Sequence, residues 1–240
     1  MIDSLLDDLV LANRILFHQG VVDAYGHVSA RDPRDPERFL IARHVAPALV
    51  TRDDIMTFDL AGRALDANGR TPYTEVFIHA AIYAARPDVH GVVHSHSPAI
   101  IPFGVSDVPL RPIAHVCAFL GEGVARFDTQ DAFGDTDLLI RDLALGEALA
   151  RALGPHPLAL MRGHGSVAVG VTLRQAVYRA IYTEVNARLQ TEALRLGGSV
   201  RYLTSGETAL MGRHQDPAYQ RPWALWVTAL GEGFGVPAEH

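Results

Sequence analysis

The chain has 240 residues, 48% of them hydrophobic, a single cysteine, and a net charge of −6 from 27 acidic and 21 basic side chains. An acidic balance with no basic run argues against a nucleic-acid surface, one cysteine excludes an intramolecular disulfide, and no uninterrupted apolar run reaches membrane-spanning length. The first eight residues carry acids where a signal peptide needs bases, so a cytoplasmic protein with neither membrane nor nucleic-acid partner is expected.

Residues 4–19 place Leu5, Leu6, Leu9, Val10, Leu16 and Phe17 at a helical period, and Gly20 is a natural stop. Short strand-like pieces follow at 27–31, 39–42 and 55–60, separated by turn chemistry at 32–36 and at Ala61–Gly62. Thr71 and Pro72 read as the cap and first residue of a helix running to Ala85. Residues 88–94 read as a buried strand, 97–103 as a short helix, and 113–119 as further strand. A helix is expected from 135 or 136 to Leu153, then a hairpin around His164, then a long helix from Thr172 to about Leu196. Two more helices fit 204–214 and 217–230. The strands are short and grouped, without regular βαβ alternation, which favours a mainly antiparallel sheet covered by helices on both faces. With no repeat or linker in view, the expectation is one domain over 1–230 and a flexible tail at 231–240.

His94 and His96 carry the most information. Residues two apart on a strand leave the same face, so the pair offers two imidazoles side by side at a strand end. His164 lies between Gly163 and Gly165 in the turn of the expected hairpin. Three neutral imidazoles converging from two strand ends suit a catalytic metal site with open positions. A cation so held keeps its full charge and polarises substrate oxygens, and a carboxylate opposite can move a proton at the neighbouring carbon. Glu75 is the candidate carboxylate, although an acid in a helix's first turn is also favoured by the macrodipole alone.

Five segments together resemble the class II aldolase/adducin family: Gly26 to Ser29, Val50 to Ile55, Thr71 to Glu75 with His79, His94 to Ser97, and Gly163 to Gly165. They fall within residues 5–195. The resemblance implies a three-layer α/β/α domain around a mainly antiparallel sheet, assembled as a homotetramer with sites at subunit interfaces. It implies His94, His96 and His164 as ligands of one divalent ion (Zn, Mn, Fe or Co) and Glu75 as an acid/base that can also approach the metal. The segment Arg111 to Cys117 is then placed to reach a neighbouring subunit's site, with His115 a candidate contact.

The chain departs from the family's sugar-phosphate aldolases where those enzymes nest a phosphate. Gly26–His27, Arg43–His44 and Tyr73–Thr74 stand where small hydroxyl and amide groups are found, and Arg162 precedes His164 by two. Arg43, His44, Thr74 and Arg162 are candidate substrate contacts, because a guanidinium fork matches carboxylates as well as phosphates. His27 is a candidate catalytic residue beside Glu75, and His79, one turn on, a candidate for orienting that acid. This loop pattern is similar to the family's decarboxylase branch, which acts on hydroxylated aromatic or pyridine dicarboxylates. The chemistry is continuous with aldol cleavage, since both reactions break a carbon–carbon bond whose electrons fall toward a carbon next to a polarised oxygen. The expected substrate is a small anionic aromatic acid. The competing readings are an aldolase or epimerase on a small hydroxy-carbonyl compound, and a metal-free adducin-like interaction domain.

Overall fold

The computed structural model describes residues 2–121 and 123–231. Its seven strands form one sheet in the order β3-β2-β1-β4-β7-β6-β5. These are β1 (His27–Arg31), β2 (Arg38–Ala42), β3 (Ile55–Asp59), β4 (Gly91–Ser95), β5 (Ala125–Phe127), β6 (Leu158–Met161) and β7 (Gly165–Gly170). Every neighbouring pair is antiparallel except β5 with β6. The mainly antiparallel sheet is therefore present, with one parallel edge. β5 went unanticipated because three residues are too few to display a period of two.

Side-chain alternation separates the two faces. On β1, Ser29 meets His79 and Tyr83 of α2 (Val76–Ala85). Its cross-strand partners Ile41 and Val92, and the His27↔His94 pair, share that face. The residues between them turn the other way. A Cβ on Gly91 would stand 2.6 Å from Leu173 Cα of α6 (Leu173–Arg195). Helix α1 (Ile2–His18) packs on α6, and α5 (Leu143–Leu153) packs on α2. The result is three layers with helices on both faces and the core between them. The remaining helices are α3 (Ile101–Val105), α4 (Thr129–Phe133), α7 (Ser205–Gln215) and α8 (Gln220–Gly231). No helix is long and apolar enough to cross a membrane, among the described residues. Cys117 is buried, its S–H donating to the Tyr182 carbonyl.

Four expectations need correcting. Helix α2 begins at Val76 rather than Thr71, because the Thr71 carbonyl accepts the His44 N–H at 2.8 Å and Tyr73 donates its hydroxyl to the Val45 carbonyl. These contacts hold 71–73 extended. The expected strand at 113–119 is a 3₁₀ turn, His115–Leu120. The extended backbone before it is paired by α6 side chains instead of a strand: Asn186 bonds Arg111 and Ile113, and Gln190 bonds Pro109 and Arg111. The helix expected from 135 starts only at Leu143, capped by Asp142, because residues before it are committed elsewhere, Ile140 N–H to Glu75. The short helix expected at 97–103 forms later, at Ile101–Val105. Of the expected tail, Gly231 ends α8 and the rest lies outside the described residues.

Candidate active site

Strand β4 delivers His94 on its α2 face, and His96 follows one residue past the strand end. The chain beyond is fastened by Glu184 of α6, which accepts the Ser97 hydroxyl and the Ala99 N–H. His164 arrives from the tight β6–β7 turn, where Gly163 takes φ +64, a conformation that favours glycine. Glu75 sits at the N-cap of α2 with no capping bond of its own. Its carboxylate turns inward and accepts Ile140 N–H at 2.9 Å.

These four side chains converge, with one ligand atom from each lying within 4.8 Å of all the others. His96 Nε2 stands 3.2 Å from His94 Nε2 and 3.0 Å from His164 Nε2. Glu75 Oε2 lies 3.7 Å from His94 Nε2 and 3.5 Å from His164 Nε2. Two nitrogens bound about 2.1 Å from a common ion, at angles between octahedral and tetrahedral, lie about 3.0–3.4 Å apart, so the spacing fits a metal. The tautomer of His94 fits as well. Its Nδ1 faces the Ser166 carbonyl at 3.1 Å, and since a carbonyl only accepts, Nδ1 carries the proton and Nε2 keeps its lone pair for a ligand bond. Burial and the neighbouring imidazoles hold His94 well below the ordinary histidine range, although the Glu75 carboxylate pulls the other way. Burial alone would raise the Glu75 carboxyl; the adjacent His164 and His94 and the Ile140 N–H outweigh it and hold the group at about 2. It is ionised at neutral pH.

Beside this cluster opens a cavity of about 570 Å³. His27, Glu75 and His96 stand at its inner end, His44, Thr74 and Tyr25 at its exposed rim, and Tyr73, Val45, Ala46 and Leu139 make apolar walls. Gly26 lets the chain turn into β1 here, at φ +93 with His94 O and Val22 too close for any Cβ. His27 is buried between rings, 5.0 Å from His94 and 4.7 Å from Tyr73 between centroids.

The structure brings Glu75, His27, His44, Thr74 and the three ligand candidates to one place. It does not bring the arginines there. Arg43 Nε donates to Asp54 at 2.6 Å, and Arg162 pairs with Asp128 beside a separate hollow near α3. His115 is exposed on the 3₁₀ turn, outside the cavity lining. Tyr25, Tyr73 and Leu139 were not anticipated. Tyr73 lay within a segment already singled out and Tyr25 directly before one, but Leu139 and the Ile140 N–H come from a stretch expected to be helical, which the structure leaves irregular before Leu143.

The chain is similar to several known proteins. Residues 7–191 match the family described as Class II Aldolase and Adducin N-terminal domain. The chain is 34% identical to decarboxylase tropJ of Talaromyces stipitatus over 91% of both proteins. It is 28% identical to a 3,4-dihydroxyphthalate decarboxylase of Arthrobacter keyseri, over 84% of this chain and 83% of that one. Among solved structures, an L-fuculose 1-phosphate aldolase from Glaciozyma antarctica superposes with a TM-score of 0.78 at 26% identity, covering 95% of this chain and 90% of that one.

Proposed function

Because the chain belongs to the class II aldolase and adducin family, we propose that it is a divalent-metal-dependent carboxy-lyase acting on a hydroxylated aromatic or pyridine dicarboxylate. The observation that carries this reading is the pairing of the Glu75–His94–His96–His164 cluster with a cavity whose walls are aromatic and aliphatic and whose polar groups, beside Glu75 and Thr74, are the imidazoles of His27, His44 and His96. A flat ring is complementary to such walls, and acidic substituents to such polar groups. The relatives named as decarboxylases support the same choice.

His94, His96 and His164 would hold the cation through Nε2, with Glu75 close enough to join them. When bound, a divalent ion polarises the substrate's oxygens and favours the ionised hydroxyl. The remaining work falls to the protein. Glu75, ionised in the resting site, takes the proton of the ring hydroxyl and hands it to the adjacent ring carbon. The bond from that carbon to its carboxylate then breaks, its electron pair stays on the ring, and carbon dioxide leaves. His27 and His44 face the substrate's remaining acidic groups, a task the ion-paired arginines do not share in this arrangement. The apolar walls exclude water from the reacting carbon.

Incubating the metal-loaded protein with a panel of hydroxyphthalates and hydroxypyridine dicarboxylates should release carbon dioxide from an ortho-hydroxy acid. Efficient cleavage of sugar phosphates with no such release would instead establish the aldolase reading, which the Glaciozyma structural likeness favours. A metal-free, adducin-like interaction role would show as no stoichiometric metal in the purified protein. Assembly follows from the family reading: a homotetramer with its sites at subunit interfaces and the exposed His115 turn facing a neighbour. Sedimentation of a fully active monomer would exclude that assembly.

A further inference from the structure

Behind His27 runs a line of polar groups that the chemistry above leaves unused. His27 Nδ1 lies 2.7 Å from His79 Nε2, His79 Nδ1 lies 2.6 Å from Ser29 Oγ, and Ser29 Oγ lies 2.8 Å from the Tyr83 hydroxyl. All four residues are buried, His27 and Ser29 on β1 and His79 and Tyr83 on the face of α2 packed against it. Burial pushes His79 down to about 3, so its ring is neutral and holds one proton. Burial also pushes the Tyr83 phenol above its ordinary range, so it keeps its proton.

Two proton arrangements could fill this line. In the first, Tyr83 donates to Ser29, Ser29 donates to His79 Nδ1, and His79 Nε2–H donates to His27 Nδ1. His27 then carries its own proton on Nε2. In the second, every bond is reversed: His27 Nδ1–H donates to His79, His79 to Ser29, and Ser29 to Tyr83. That leaves the phenol proton without an acceptor among the described residues, because the other group against the phenol oxygen is the Val92 backbone N–H, itself a donor; if the phenol donates to Ser29 instead, the serine proton is the one left over. An orphaned buried donor disfavours the second arrangement by roughly 5- to 140-fold.

We propose that Ser29 and His79, backed by Tyr83, are positioning residues that lock His27 as its Nε2–H tautomer, so that this wall of the cavity presents a hydrogen-bond donor. The site then selects a ring bearing an acceptor oxygen, a carboxylate or ionised hydroxyl, at the point facing His27. It rejects an amino or methyl group there. The identity of that oxygen rests on the decarboxylase reading; the tautomer does not.

The test is long-range proton–nitrogen NMR on the full chain labelled with ¹⁵N-histidine and loaded with zinc, a diamagnetic ion. His27 is identified by the signal lost in His27→Gln. The expected result is a single species protonated at Nε2. Protonation at Nδ1, or an even mixture of the two forms, overturns the proposal. Ser29→Ala removes the acceptor and donor that orient His79, so the His27 signal should become a mixture of tautomers. A serine that only packs would leave the tautomer unchanged, and that outcome also overturns the proposal. Should Ser29→Ala fail to fold, the unsubstituted protein still decides the point. Failure to release carbon dioxide from any acid would sink the decarboxylase reading while leaving the tautomer result intact.

Discussion

Each residue at the site is defined by what its polar atoms face. His94 has one nitrogen committed to the Ser166 carbonyl and the other aimed at His96 and Glu75. His94→Ala should therefore remove both metal and activity, and stoichiometric metal with normal turnover in that variant would show the ligand assignment to be wrong. Glu75→Gln keeps the shape and an acceptor for Ile140 N–H but loses the charge, so kcat should fall about 10²- to 10⁴-fold, the usual worth of an acid/base group, with metal content unchanged. Arg43 differs because Asp54 already holds its guanidinium, and Asp54 is in turn fixed by the Thr51 N–H and hydroxyl. The pair is partly exposed, so Arg43→Ala should cost less than about 1 kcal/mol of stability and little activity. A fall in kcat/KM of about 10–150-fold, the signature of a lost charge-assisted bond, would mean that Arg43 leaves Asp54 for the substrate.

Among elements, the contact of α2 with α5 decides where Glu75 stands, since Glu75 opens α2. Gly146 of α5 makes that contact possible. A Cβ there would lie 2.5 Å from the Phe77 carbonyl oxygen and 3.0 Å from Ala81 Cβ. Alanine gains about 1 kcal/mol in helix propensity, but the clash with backbone cannot be relieved by a rotamer, and overpacking costs about 1–3 kcal/mol or more. Gly146→Ala should lower Tm by a few degrees in a chain of this length, read by calorimetry, and reduce kcat through displacement of Glu75. An unchanged or raised Tm would show that α5 can shift away freely.

At the scale of the whole molecule, the buried imidazoles make stability depend on pH. His79 falls from an ordinary 6.5 to about 3 on burial, and His27 and His94 shift in the same direction, also chiefly through burial. Between pH 6.5 and 3 the unfolded chain binds protons at these groups that the folded chain refuses, so stability rises with pH through that window. Their contribution is complete above about pH 6.5 and is lost progressively on acidification toward pH 3. The urea midpoint should fall between pH 7 and pH 4, with a shallower fall in His79→Gln. A flat midpoint in the unsubstituted protein would contradict this account.

What the sequence determined by itself was whatever rests on local periodicity and spacing. The two-residue step from His94 to His96, the glycines around His164, the apolar period of α1 and the long run of α6 are properties of neighbours along the chain. So is the grouping of short strands that pointed to an antiparallel sheet. The tertiary structure alone decided matters that depend on partners distant in sequence. Residues 71–73 stay extended because His44 and Tyr73 bind across a loop, and 109–113 follows side chains of α6 instead of a strand. Arg43 and Arg162 looked free to grip an anion, but the acids that occupy them lie 11 and 34 residues away. The line from Tyr83 through Ser29 and His79 to His27 closes sequence gaps of 54, 50 and 52 residues with three hydrogen bonds. A single chain read in order gives which groups exist, but a hydrogen bond is satisfied by whichever donor or acceptor folding brings within about 3 Å.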